Sequence, residues 1–199
     1  MKRVIATVLL CLFPAFSAWA ASSAKNPDLY EVEVVVFQTK LTYLEGEELW
    51  ARDIVNTKLP GLTDAVTVKD VPSIDSPLWK AAGTLEADAE YHVLLRKRWL
   101  QSAEPRSKTK WVYLTNARTG DPLQLEGTIR LYQSRYLHVD IELLLREGGI
   151  QEASAGKSTD TLPYVYRISE QRRIRAGKIN YFDHPKFGAL VWVAPVDKK

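Results

Sequence analysis

The sequence predicts an α+β domain, a mostly antiparallel, curved sheet of about six strands with one or two helices lying over it. Three observations carry that expectation. Segments with period-two apolar alternation recur along the chain. One of them, residues 125–147, has the pattern of a hairpin folded back on itself. One stretch, residues 78–89, is preceded by the helix-start pair Ser76-Pro77.

The first strand is residues 30–38 (YEVEVVVFQ), with Tyr30, Val32, Val34 and Val36 on one face and Glu31 and Glu33 on the other. A short helix around residues 45–52 follows. Residues 56–77, with Pro60, Pro72 and Pro77, read as a long surface connection. Ser76 then caps the helix over 78–89 and Pro77 fits its first turn, although Gly83 weakens it. Residues 91–101 alternate again, placing Tyr91, Val93, Leu95 and Trp99 opposite His92, Arg96 and Arg98. A polar, basic loop (102–110), a short strand (110–115) and a turn on Gly120-Asp121 lead into the hairpin.

In the hairpin, Leu137, Val139, Ile141, Leu143 and Leu145 line one face, and Leu125, Ile129 and Leu131 line its match. Bringing these faces together requires paired residue numbers with an even sum, as in Leu131 with Leu137 and Ile129 with Val139. That demands an odd loop, Gln133-Ser134-Arg135, because a one-residue slip would turn an apolar face outward. The outer face then sets Tyr132 beside Tyr136, and Arg130 near His138 and Asp140. A polar glycine-containing loop (148–163), a strand (164–174), a turn or single helical turn (180–187) and a last strand (188–196) complete the chain. In the turn, Asp183 is expected to cap backbone N–H groups while Phe182 and Phe187 pack on the sheet. No repeat or linker interrupts this order.

The N-terminus has the form of an export signal. Lys2 and Arg3 precede the apolar run 4–13, Pro14 ends it, and Ala18-Trp19-Ala20 before Ala21 is a small-x-small cleavage site. A signal anchor is the competing reading, disfavoured by Pro14 and the Ala-x-Ala. The domain assignment is a signal peptide over 1–20 and one domain over 21–199, in the periplasm. Later apolar stretches are short and alternating, so no membrane span is expected after cleavage. Cys11, the single cysteine, lies in the leader, so the mature chain offers no disulfide, thiol nucleophile or cysteine metal site. Losing Lys2 and Arg3 takes 27 basic residues to 25 against 24 acidic ones, a balance that argues against nucleic acid as partner.

Catalytic and metal motifs are sparse, and no cofactor is expected. There is no G-x-S-x-G, S-x-x-K or H-E-x-x-H. His138, Asp140 and Glu142 share a strand face, enough for a wall-lytic enzyme reading but short of a full zinc ligand set. A binding surface fits the composition better. Arg96, Arg98, Arg130, Arg167 and Arg173 face outward, and Tyr132 and Tyr136 add aromatic rings. The candidate ligand-binding residues are Arg96, Arg98, Arg130, Tyr132, Tyr136 and Arg173. Guanidinium groups grip carboxylates bidentately and rings stack on sugar faces. The competing view is that these arginines pair with Glu126, Asp140 and Glu142 on a solvated sheet face.

The order RLYQSRYLHVDIELLL (130–145) followed by YRISEQRRIRAGKINYFDHPKFGALVWVAP (166–195) resembles the CsiV family of exported proteobacterial proteins. The strand at 30–38, the 91–101 segment and above all Y-F-D-H-P-x-F-G (181–188) carry the resemblance. It implies a periplasmic, non-enzymatic protein that binds peptidoglycan. Such a protein acts with an outer-membrane lipoprotein activator of the LpoA type and, through it, supports a class A penicillin-binding protein. The resemblance implies no particular ligand residues. A protein-interaction scaffold of the envelope without glycan affinity is the alternative from the residues alone.

Overall fold

The structure, a computed structural model, describes residues 28–40, 57–71, 75–116, 123–147 and 164–196. The expected leader, the short helix at 45–52, the turn at 117–122 and the loop at 148–163 lie outside the described residues, wholly or nearly so. The described strands are β1 (Leu29–Thr39), β2 (Tyr91–Ser102), β3 (Val112–Thr115), β4 (Leu123–Gln133), β5 (Leu137–Glu147), β6 (Tyr164–Arg173), β7 (Ile179–His184) and β8 (Phe187–Pro195), with one helix, α1 (Pro77–Ala87). They form two four-stranded sheets of order β2-β1-β8-β7 and β3-β4-β5-β6, with every neighbouring pair antiparallel. The expectation of a mostly antiparallel α+β fold holds, but the single curved six-stranded sheet is corrected to two sheets.

The inner faces of the two sheets share one core. Val32, Val34 and Val36 of β1, Trp99 of β2 and Val191 and Val193 of β8 meet Ile129, Leu131, Val139, Ile141 and Leu143 of the second sheet. β1 is, with β8, one of the two central strands of its sheet and is buried on both sides. Its outer face carries Val35, which packs under Leu78 and Ala82 of α1. Ser76 caps α1 as expected, its hydroxyl oxygen accepting from the Trp79 N–H at 2.9 Å.

β2 corrects one facing. Val36 pairs with Leu95 but Phe37 with Val93, so Leu94 is the extra residue of a bulge. Tyr91 and Val93 therefore sit on the α1 side, away from Leu95 and Trp99. The β4–β5 hairpin keeps the expected parity with a shifted register. Leu131 pairs with Val139 and Ile129 with Ile141, leaving Ser134, Arg135 and Tyr136 as the loop. Tyr132 consequently faces His138 rather than Tyr136.

The run at 180–187 is also corrected, from a turn or single helical turn to most of β7 and the start of β8, joined as a hairpin. Phe182 and Phe187 are fully buried, as expected. The turn is held by His184, whose Nδ1 accepts the Lys186 N–H at 3.1 Å, while Asp183 accepts the Tyr181 hydroxyl at 2.6 Å. Gly188 is required by close approach. A Cβ there would lie 2.7 Å from the Tyr181 ring and 2.8 Å from that of Phe37. His184 lies between Tyr166 and Phe187, and burial lowers its affinity for a proton. The unfolded chain then binds a proton more readily than the folded one, so stability is lost as pH falls through the ordinary histidine range. His184→Asn is expected to lose less thermal stability than the natural chain between pH 7.5 and 5.5, and equal losses would show that this ring is not the group titrating.

Residues 57–71 form a strap rather than a plain surface connection. The Thr128 hydroxyl donates to the Pro60 carbonyl at 2.9 Å, which holds the strap on the outer face of the second sheet. Val66 bridges Val112 in parallel, beside β3. Val71 N–H donates to Arg98 O at 2.8 Å, beside β2. The strap thus crosses the flank of the sandwich from one sheet to the other.

Candidate functional site

The outer face of the second sheet ends in a cluster built on the hairpin register. Arg130 and Asp140 are paired across β4 and β5, and the Arg130 Nη2 donates to Asp140 Oδ2 at 2.5 Å. One pair further along, Tyr132 and His138 stack with centroids 5.2 Å apart. Gln171 of β6 donates to the Tyr132 hydroxyl at 2.6 Å. The loop at 103–110 folds over this row, tied to it by the Gln133 N–H donating to Glu104 O at 2.9 Å. It delivers Arg106, whose Nη2 reaches Asp140 Oδ2 at 3.1 Å and whose guanidinium lies over Tyr132.

Trp111, just before β3, is clamped between the strap and Arg130. The Arg130 guanidinium lies 4.2 Å from the indole centroid. Gly61, at φ 69°, closely approaches the same ring, and a Cβ there would stand 1.9 Å from Trp111 Cδ1. At the tip, Arg173 lies 3.4 Å over the Tyr136 ring, Arg135 lies 5.5 Å from it, and the Tyr136 carbonyl meets His138 Nδ1 at 2.8 Å.

This geometry sorts the six candidates. Tyr136 and Arg173 are exposed and adjacent. Tyr132 is only 3% exposed and Arg130 is largely buried, so both support the surface from below. Arg96 and Arg98 lie on the outer face of the other sheet, beside α1, and are not part of this cluster. The six therefore occupy two opposite faces. Arg106, Trp111, Arg135 and Gln171 complete the cluster. The only sequence signal for Arg106 and Trp111 was their place in and beside the basic loop.

The expected arginine–carboxylate pairing is also present. Arg146 meets Glu126 at 3.0 Å, Arg167 meets Glu142 at 2.6 Å, and the Ser169 hydroxyl donates to Glu142 at 2.8 Å. Asp140 and Glu142 are thus held as acceptors by arginines, and His138 is stacked against Tyr132. Among the described residues no three histidine, cysteine, aspartate or glutamate side chains come together as a metal set. No helix among them is long and apolar enough to cross a membrane.

By fold and site, the protein is a two-sheet sandwich whose second sheet ends in an exposed basic and aromatic tip over a buried arginine–aspartate pair. The model of the family described as "Peptidoglycan-binding protein, CsiV" matches residues 67–196, and the chain belongs to the CsiV family. The match runs from the end of the strap through β8 and leaves out β1 and residues 57–66. No curated protein and no solved structure matches the chain.

Proposed function

We propose that the chain is an exported, non-enzymatic peptidoglycan-binding protein, a single domain over 21–199 acting in the periplasm. Membership of a family described as peptidoglycan-binding carries this reading. The leader pattern of residues 1–20 supports the location. The contact surface is the hairpin tip, where Tyr136 offers a ring face for a sugar and Arg106, Arg135 and Arg173 offer guanidinium groups for stem-peptide carboxylates. Arg130, Asp140, Tyr132 and Trp111 set its shape. The protein then works beside an outer-membrane lipoprotein activator of the LpoA type to support a class A penicillin-binding protein, as the family resemblance implies.

Co-sedimentation with purified sacculi tests the reading. The Tyr136→Ala/Arg173→Ala double variant is expected to retain about tenfold less protein, with retention of the natural chain falling as salt rises. Both residues are exposed, so folding should change by no more than ~0.5 kcal/mol. Unaltered retention in the double variant would remove the tip from the interface. A scaffold reading without glycan affinity is favoured by one observation, the exposed Ile179 and Tyr181 on the outer face of β7. Partner capture without sacculus binding would select it.

A further inference from the structure

The run at 181–188 (Y-F-D-H-P-x-F-G) takes no part in the hairpin tip, yet three of its residues build one exposed feature on the outer face of the first sheet. Tyr181 of β7 leans across β8 over Gly188. A Cβ at Gly188 would stand 2.7 Å from Tyr181 Cε2 and 3.1 Å from its hydroxyl, so only glycine leaves room for that pose. The Tyr181 ring is parallel to that of Phe37 within 10°, with centroids 6.2 Å apart. Phe37 is braced in turn by the edge of Tyr91 at 5.6 Å. The Tyr181 hydroxyl donates to Asp183 Oδ1 at 2.6 Å. Burial and this bond push the hydroxyl above its ordinary pKa, so it stays a donor.

The ring is thus fixed by Phe37, Gly188 and Asp183, and it is still 46% exposed. Asp183 is exposed beside it. A ring already held in one pose loses little further freedom when a ligand covers it. What it offers is one apolar surface with a carboxylate at its rim. Asp183 disfavours an anion. An ammonium site uses a cage of several rings, and here Phe37 is only 5% exposed. A stable protein interface buries about 800 Å² per partner over about 20–30 residues, whereas the exposed apolar surface of β7 consists of Ile179 and Tyr181. A sugar ring fits the dimensions. A β-linked hexopyranose with equatorial substituents has a flat C–H face about as wide as one tyrosine ring, and hydroxyls around its rim.

We infer that Tyr181 and Asp183 form a saccharide subsite for a β-linked N-acetylhexosamine, the sugar's C–H face on the Tyr181 ring and a rim hydroxyl donating to the Asp183 carboxylate. The inference rests on the peptidoglycan reading for the kind of sugar, while the ring and the carboxylate are in place without it. The subsite lies near the end of β1, on the first sheet. The hairpin tip lies on the second sheet, near the start of β1. One sugar cannot reach both, so a single molecule touches two glycan segments at once and its retention gains from both contacts.

The test is titration of the chain over residues 21–199 with N,N′,N″-triacetylchitotriose, which carries the sugar without peptide or carboxylate. The Tyr181 ring and Ile179 methyl resonances should move saturably. Tyr181→Ala should weaken binding by at least about tenfold, and Tyr181→Trp should keep it within about threefold. Asp183→Ala should weaken it with the ring still present, which serves if Tyr181→Ala does not fold. The open-chain N-acetylglucosaminitol, with hydroxyls but no ring face, should leave these signals unmoved. No saturable shift at Tyr181, an equal response to the alditol, or unchanged affinity in both Tyr181→Ala and Asp183→Ala would overturn the proposal. Capture of a protein partner through Tyr181 without any shift from the sugar would assign the ring to docking instead. Sacculus retention separates the two readings. Retention by sacculi with no shift at Tyr181 removes this subsite and leaves the peptidoglycan reading standing. Saturable binding of the trisaccharide without retention keeps the subsite and assigns its sugar to another glycan.

Discussion

Asp140→Ala is expected to lower folding stability by ~3–5 kcal/mol, because it strands the Arg130 charge beneath the sheet surface. The side chain of Asp140 is 6% exposed and that of Arg130 14%, so neither regains full hydration when the other is lost. The Arg106 contact with the same oxygen is of another kind. Its side chain is 54% exposed, and Arg106→Ala should cost under ~1 kcal/mol. Urea unfolding of the two variants side by side makes the comparison, with a constant slope confirming that the denatured state is unchanged. If Asp140→Ala cost no more than Arg106→Ala, Arg130 would have found water and the buried pair would not be what shapes the tip. Sacculus retention should fall in Asp140→Ala as well, since Arg130 organises both Trp111 and Tyr132.

Gly61→Ala is expected to cost ~2–4 kcal/mol from two sources. The backbone is in the left-handed region at φ 69°, which a side chain disfavours. The added Cβ would overlap the Trp111 indole, a rigid ring already braced by Arg130 and unable to retreat. Relief requires the strap to lift from the sheet, weakening the Thr128–Pro60 bond and the cover over the buried Thr128. A lowered melting temperature with altered Trp fluorescence is the expected signature. A loss of stability without any change at Trp111 would place the strain in the backbone alone.

Much of this fold was legible in the chain. β1 showed its inward face through alternating valines, and Ser76-Pro77 located the start of α1. The parity of the hairpin, which decides which residues face out, followed from the two apolar faces even though the register moved by one pair. That is why Arg130 and Asp140 were rightly brought together. The existence of two sheets was harder to read, because alternation reports that a strand has a buried face and not which sheet lies opposite. The unbroken run Val34-Val35-Val36-Phe37 was the available sign of a central strand covered on both sides. β7 was missed because Asn180, Asp183 and Pro185 are turn formers, while one inward ring, Phe182, anchors the strand. For the candidate site, residue type marked the arginines and tyrosines, but depth came from elsewhere. Tyr132 is buried because Arg106 and Gln171 close over it from a loop and a strand distant in sequence.

The flanks of the sandwich have a consequence for assembly. A sheet edge with free backbone groups invites another strand, whether from a partner or from a misfolded copy. Here the strap lies along β2 and β3 on one flank. On the other, Arg172 of β6 points inward, pairs with Glu170, covers the Phe182 ring and donates to the Tyr181 carbonyl of β7. Such inward charge on a border strand keeps neighbours from zipping on. Association by strand exchange is thereby discouraged on both flanks. A chain guarded in this way can be held at high local concentration against a polymer surface without zipping edge to edge, which leaves the hairpin tip free for recognition.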